Sequence, residues 1–319
     1  MFRRVPFLIV LLVALIVPSG AAAAIDYPDF SSTAGLQLNG DAKQVGNVLR
    51  LTPAENSKGG AVYSSSPVNP TESFENQFAI SMHDSTTEPA PADGMAFVIQ
   101  SEGLDAGEGL GGSMGYSGIE PSVIVEFDIF YNMFGGDPLT DHVSIMKDGN
   151  GGEHLQCANA GPTPSCTSNL AFPLYGAPVY GWVEYDAAAG HLKVWVSQTS
   201  TKPAAPLLDY PISLAAMGSS AYVGFTAATG ASNAAQDVLS WRQGALGSLN
   251  PVVTPPVGGA PTEQPVQKKK KNCGKRKGKP KGKAKGHHKS AGLSKKKKKK
   301  PKCKKKKKKG KGKAKGLPK

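Results

Sequence analysis

The chain has 319 residues, 19% of them charged, and a formal net charge of +14. That sum hides two opposed parts. From Pro251 onward stand 29 lysines or arginines against one acid, Glu263, whereas 25–250 holds 7 basic and 23 acidic residues, a net −16. An acidic globule is a poor nucleic-acid binder by itself and suits cation chelation instead.

In chain order, residues 1–24 read as a secretory signal. Arg3 and Arg4 precede the apolar run Phe7 to Val17, and Ser19 to Ala24 supply small residues for cleavage. The run is short for a membrane span. Export also argues against a nuclear or histone-like role.

Residues 25–248 read as one domain, with almost no helical periodicity. Short β-rich runs recur between Gly, Pro, Asn and Ser: Val48–Thr52, Phe74–Met82, Ala96–Gln100, Ser122–Phe130, His142–Met146, Gly181–Tyr185, His191–Val196, Ala221–Ala227 and Val238–Arg242. Asp186–Gly190 reads as a hairpin turn. The pattern predicts an all-β, antiparallel β-sandwich. His83 matches no site pattern and reads as a surface residue.

The chain has four cysteines. In an exported protein, Cys157 and Cys166 are expected to form a disulfide across a Gly/Pro/Asn-rich loop. That loop does not read as a zinc site, because His154 stands there without a paired Cys or His at ligand spacing. Cys273 and Cys303 sit among lysines and are free to pair within the tail or between chains.

The chemistry concentrates between Glu126 and His142. Val123, Val125 and Phe127 want a core, while Glu126, Asp128, Phe130 and Asn132 share the other strand parity. Carboxylates carried into a sheet need a counter-charge, and a divalent cation is the natural one. Same-face residues lie about 7 Å apart, so Glu126 and Asp128 can serve two neighbouring ions. Phe130 can offer a carbonyl and Asn132 an amide oxygen. Gly135 and Gly136 allow Asp137 to fold back, and His142 opens the next strand. Oxygen ligands suit calcium; carboxylates with an imidazole suit manganese or a similar transition ion.

This spacing, Glu-x-Asp-x-aromatic-x-Asn-x4-Asp-x4-His, resembles the metal loop of the legume (L-type) lectins. The resemblance covers residues 25–248 and implies a concanavalin A-like jelly roll. It implies Ca2+ on Asp128, the Phe130 carbonyl, Asn132 and Asp137, and Mn2+ on Glu126, Asp128, Asp137 and His142. Ala92-Asp93-Gly94-Met95-Ala96-Phe97 resembles the family segment with a cis alanine–aspartate bond, whose aspartate accepts sugar hydroxyls. Gly112-Ser113-Met114-Gly115 resembles the loop that presents a backbone N–H to the sugar, a role falling on Gly112. Gly224 to Gly230 and Val238 to Trp241 resemble the C-terminal signature, so Ala231 and Ser232 occupy the specificity loop. Phe130 or Tyr131 would face the C–H side of a pyranose. The expected partners are glycans, with a homodimer as in many family members. The loop from Gly230 to Val238 is shorter than in many plant members, and the cysteine loop is atypical, so the preferred sugar stays open.

Two other functions share this architecture. One is a lectin fold that serves as an adhesive module without binding sugar. The other is a glycoside hydrolase. Glu126-Phe127-Asp128 copies half of a retaining motif, but the second carboxyl, required about 5 Å away, is replaced by Phe130 and Tyr131. No nucleophile elbow or phosphate loop is present, and the chain reads as a non-enzyme.

Residues 249–266 read as a Pro/Gly-rich linker and 267–319 as a disordered Lys/Gly tail. Such a tail binds polyanions such as anionic cell-surface polymers. Lacking aromatic residues, it has no means of sequence-specific nucleic-acid readout. The expected location is extracellular, at or near the cell surface.

Overall fold

The computed structural model describes residues 25–107, 109–132, 137–139, 141–151, 154–157 and 170–249. The signal, linker and tail expectations, and the Gly135-Gly136 turn, lie outside the described residues. All described residues fall within the compact unit Met1–Pro265.

Fifteen strands form among the described residues. They are β1 (Ile25–Tyr27), β2 (Leu36–Gly40), β3 (Lys43–Val45), β4 (Val48–Thr52), β5 (Gly59–Ser64), β6 (Phe74–His83), β7 (Gly94–Gln100), β8 (Ser122–Asp128), β9 (His142–Lys147), β10 (Gln156–Cys157), β11 (Val179–Asp186), β12 (His191–Ser197), β13 (Leu208–Pro211), β14 (Tyr222–Ala228) and β15 (Ala235–Ala245). One sheet runs β13-β12-β11-β6-β15-β4-β3, with β1 also paired to β15. The other runs β10-β9-β8-β7-β14-β5-β2. Their ladders are antiparallel. Each of the nine sequence-predicted runs overlaps a strand. The Asp186–Gly190 turn closes with a 2.8 Å bond from the Gly190 N–H to the Asp186 carbonyl.

The sheets meet through inward-facing aromatics. Phe78 of the first sheet stacks on Phe97 of the second at 5.6 Å and meets Phe127 and Phe225 edge-on. Phe225 packs edge-on against Trp241, whose Nε1 donates to Asn76 Oδ1 at 3.1 Å. Burying each such ring contributes about 1.5–3 kcal/mol.

On β8, Val123, Val125 and Phe127 point into this core. The other parity carries Ile124, in a smaller apolar cluster with Met114, Tyr116 and Ile119 of the loop between β7 and β8. That loop therefore roofs one end of the β8 outer face. Further along the same face stand Glu126 and Asp128, only 2% and 3% exposed.

Two sequence expectations are corrected. Strand β8 ends at Asp128, not Phe130. Asp128 Oδ1 accepts the Phe130 N–H at 2.6 Å; this aspartate-to-(i+2) bond folds the chain out of the ladder, so Phe130 and Asn132 are not strand residues. His83 is not a surface residue. It ends β6 with only 11% of its side chain exposed, and its Nε2 lies 3.0 Å from Asp237 Oδ2. Asp237 in turn holds Arg50 in a two-pronged pair at 2.8 and 2.9 Å.

Candidate functional site

Sheet register brings the first donors together. Asp128 pairs with Gly94 on β7 and His142 on β9, and Glu126 with Ala96 and Ser144. Small residues on the β7 side leave room above the carboxylates. Tyr116 Oη donates to Glu126 Oε2 at 2.6 Å, and Ser144 Oγ donates to Oε1. The Nε2 atoms of His142 and His154 lie 3.3 and 3.1 Å from Glu126 Oε1. Neither nitrogen is in hydrogen-bond geometry, and both are buried.

The loop after β8 completes the cluster. Asp137 Oδ2 accepts the Asn132 N–H at 2.8 Å, and Asp137 Oδ1 is 3.5 Å from His154 Nε2. Two donor groups, Glu126–His142–His154 and Asp128–Asp137–His142, each have their ligand atoms within 4.8 Å of one another. A cavity of about 330 Å³ opens beside them, lined by Gly112, Ser113, Tyr116, Ser117, Glu126, Asp128, Asn132, Asp137 and Gly151. Gly112 touches the Asn132 side chain: a Cβ there would fall 2.7 Å from Asn132 Oδ1.

Asp93 approaches from another loop. The Ala92–Asp93 bond is cis, as the resemblance implied. The next residue must be glycine: Gly94 has φ 152°, and a Cβ would lie 2.6 Å from Met114 Sδ and the Phe127 carbonyl. Asp93 is 4% exposed, and its Oδ2 has no hydrogen-bond partner. A Cβ at Gly230 would sit 3.4 Å from that oxygen and 3.1 Å from the Gly111 Cα. The loops carrying Asp93, Gly112 and Gly230 thus converge, and Ala231 and Ser232 follow directly.

Asn233 ties the Asp93 loop to the segment after Gly230 and to Asn56. Buried to 1% exposure, it accepts the Thr86 N–H at 3.0 Å and donates to Asn56 Oδ1 at 2.5 Å. Its own N–H donates to Thr87 Oγ1 at 3.0 Å. Asn56 Nδ2 then donates to the Ala231 carbonyl at 2.6 Å, and the Ser57 N–H to the Gly230 carbonyl at 3.0 Å.

The electrostatics are those of acids gathered in a buried cluster with two imidazoles as the nearby counter-charge. Burial, then repulsion from Glu126, pushes the Asp128 carboxyl well above its usual range. Burial also raises Asp137 and takes Asp93 up to about 6. Burial acts on Glu126 in the same sense, but the adjacent imidazoles of His142 and His154 outweigh it and hold Glu126 below its usual range. Carboxyls raised mainly by burial, beside buried imidazole nitrogens outside hydrogen-bond geometry, are a donor set that fits divalent ions.

A family model described as legume lectin domain matches residues 22–248. The chain belongs to the legume lectin family. It is similar to the basic agglutinin of Psophocarpus tetragonolobus, with 32% identity over 230 residues, 65% of this chain and 88% of the agglutinin. It is also similar to the L-type lectin-domain containing receptor kinase S.7 of Oryza sativa subsp. japonica, with 28% identity over 298 residues and 80% of this chain. The match spans only 40% of that kinase and 31% of the related Arabidopsis thaliana kinase VIII.1. Among solved structures, basic winged bean lectin with Tn-antigen aligns at TM-score 0.57 and 26% identity, covering 69% of this chain and 96% of that one. The Bauhinia forficata lectin in complex with GalNAc aligns at TM-score 0.58 and 22% identity, over 70% and 97% of the two chains, a likeness of fold. The sandwich is a legume lectin sandwich, and the family it belongs to is one of carbohydrate-binding lectins. Legume lectins generally bind Ca2+ and Mn2+.

Of the residues singled out in sequence, Glu126, Asp128, Asp137 and His142 converge, and Asn132 meets Gly112. Phe130 is half-buried, Ala231 is exposed, and Tyr131 is 42% exposed. Cys157 is buried on β10, while Cys166, and with it the expected pairing, lies outside the described residues. Sequence reasoning missed Tyr116, Asn233 and above all His154, which is not alone. A histidine 12 residues beyond His142, in a stretch that returns along the same sheet edge, was the available signal.

Proposed function

We propose that this legume lectin is a secreted, metal-dependent glycan-binding protein. Asp128, the Phe130 carbonyl, Asn132 and Asp137 would hold calcium, and the Glu126–His142 side would hold a transition ion. Bound calcium would supply the positive charge that neutralises Asp128 and Asp137 and fixes Asn132. The observation carrying this reading is the contact of Asn132 with Gly112 directly beside the Asp128–Asp137–His142 group. It joins a hydrogen-bonding side chain to a backbone N–H and to the donors of an ion. The sugar would donate hydroxyls to Asp93, whose Oδ2 is unpartnered, and accept from Gly112 and Asn132. Phe130 would offer its ring face, with Ala231 and Ser232 selecting among sugars.

The domain reading goes with this function. Residues 1–24 direct export and are removed, 25–248 bind sugar, 249–266 space the tail, and the tail from 267 holds the lectin on anionic surface polymers. Cys157 and Cys166 pin the loop between them, and pairing of two chains would make weak sites multivalent.

The test is a glycan array with the full-length protein, with and without chelator. Galactose, GalNAc and Tn-antigen, named in structures of related lectins, come first. Binding lost on chelation and restored by calcium with a transition ion is expected. Binding that survives complete metal removal would overturn the mechanism, and no binding to any glycan would favour the adhesive-module reading.

A further inference from the structure

Resting on that metal-dependent reading, we propose that His154 is a second imidazole ligand of the transition ion, giving this chain a zinc-class position rather than a manganese one. The donor set implied by the family resemblance has three carboxylates and one nitrogen, and it omits His154. In the folded chain His154 Nε2 is 3.1 Å from Glu126 Oε1, closer than His142 Nε2 at 3.3 Å. The three donors Glu126, His142 and His154 lie within 4.8 Å of one another. The His154 side chain is 5% exposed, and its Nε2 is buried without a hydrogen-bond partner, like that of His142.

The arrangement is held from several sides. The N–H of Leu155 donates to the Ile145 carbonyl at 2.8 Å, and Gln156 and Cys157 then pair with β9. Backbone pairing therefore delivers His154 beside His142. The two rings stand 5.4 Å apart at 61°, so they do not stack. Tyr116 and Ser144 bond the two Glu126 oxygens and fix that carboxylate. Asp137 Oδ1, 3.5 Å from His154 Nε2, offers a fourth donor.

Ligand chemistry then sets the metal class. Carboxylate and water ligands suit manganese, whereas imidazole favours the later first-row ions, with manganese weakest in the affinity order. Two histidines with carboxylates make a four-donor set of the kind zinc takes. Calcium, an oxygen-seeking ion, keeps the Asp128–Asn132–Asp137 side.

The experiment is competitive loading of the full-length protein, freed of metal and dialysed against equal manganese and zinc with calcium in excess. Metal content is read by mass spectrometry. Wild type is expected to retain roughly one zinc per chain and little manganese. His154→Ser and His154→Gln are expected to lose that preference at least tenfold while keeping calcium. Cobalt-loaded wild type should absorb strongly in the visible, as a low-coordinate nitrogen-containing site does, and the variants weakly. The Gln variant keeps side-chain bulk, and melting curves of both variants check folding. If wild type takes manganese at least as well as zinc, or if both folded variants load like wild type, the assignment is overturned and the metal-dependent lectin reading stands. If no divalent ion is retained, both fall.

Discussion

The Asn132 side chain lies directly against the backbone of Gly112, close enough that a Cβ there would fall 2.7 Å from Asn132 Oδ1 and 2.8 Å from Nδ2. Gly112→Ala must therefore displace Asn132, the residue that the proposed function shares between ion and sugar. The expected result is a loss of sugar affinity of tenfold or more, about 1.4 kcal/mol. The melting temperature should hardly move, because a loop side chain can shift where a core one cannot. Calorimetric titration and a thermal melt on the same sample check this.

Ion removal should destabilise as well as inactivate. Asp128 is raised well above the usual carboxylate range by burial and then by Glu126, and Asp137 is raised by burial. An ion that binds only the folded chain adds about 2.7 kcal/mol at a hundredfold excess over its Kd. Chelation should lower the melting temperature by several degrees, and calcium should restore it. Asp128→Asn should melt alike with and without chelator.

The Arg50–Asp237–His83 triad gives a pH signature remote from the sugar. Burial lowers the His83 pKa, but Asp237 and then Asp84 raise it more, so the net shift is upward from 6.5. A raised base stabilises fully below about 6.5 and loses that contribution as pH rises through the folded value. Burial raises Asp237, but Arg50 and His83 pull it below 3.8; that contribution is present above about 3.8 and lost as pH falls further. The triad is therefore strongest between about pH 4 and 6.5. His83→Gln should cost more stability at pH 5 than at pH 8 in thermal melts. Asp237→Asn, which removes the carboxylate from this buried ion pair with Arg50, should cost about 3–5 kcal/mol by denaturant titration.

Acid should weaken sugar binding separately. Burial takes Asp93 up to about 6. Below that value the carboxyl holds a proton and loses acceptor capacity toward sugar hydroxyls. Affinity at saturating calcium is expected to fall from pH 7 to pH 5. Asp93→Asn should bind weakly, with a flat profile over the same range.

Much of this was legible because the pattern is local. Glu126, Asp128, Asp137 and His142 lie within 17 residues, and strand parity alone separates the carboxylates from Val123, Val125 and Phe127. Parity failed at Phe130, because the Asp128 side chain captures its N–H and ends the strand. Distance hid the rest. His83 and Asp237 are 154 residues apart, and Arg50 and Asp237 are 187 apart, so neither pairing leaves a periodic trace. His154 was hidden differently: the sequence from Asp148 to Glu153 is glycine-rich and without periodicity, and only the return of β10 onto β9 brings the His154 imidazole to Glu126.

Asn233 shows what such long-range bonds do for recognition. It reaches Thr86, on the loop leading to Asp93, and Asn56, which holds the Ala231 carbonyl. Thr229 is bound on the same side, its Oγ1 donating to the Glu55 carbonyl at 2.7 Å. The short segment after Gly230 is thus fixed by its neighbours rather than by its own length, and rigid loops bind with less ordering cost. Asn233→Ala removes both side-chain links, to the Thr86 N–H and to Asn56 Oδ1, so a stability loss of about 0.5–1.5 kcal/mol per lost bond is expected. A purely structural role would weaken all sugars alike. A positioning role predicts that preference among related sugars narrows toward unity as well, and that Asn56→Ala, in an exposed residue, reproduces the narrowing with little loss of stability. Ratios of affinity for two sugars, measured on wild type and both variants, decide between the two.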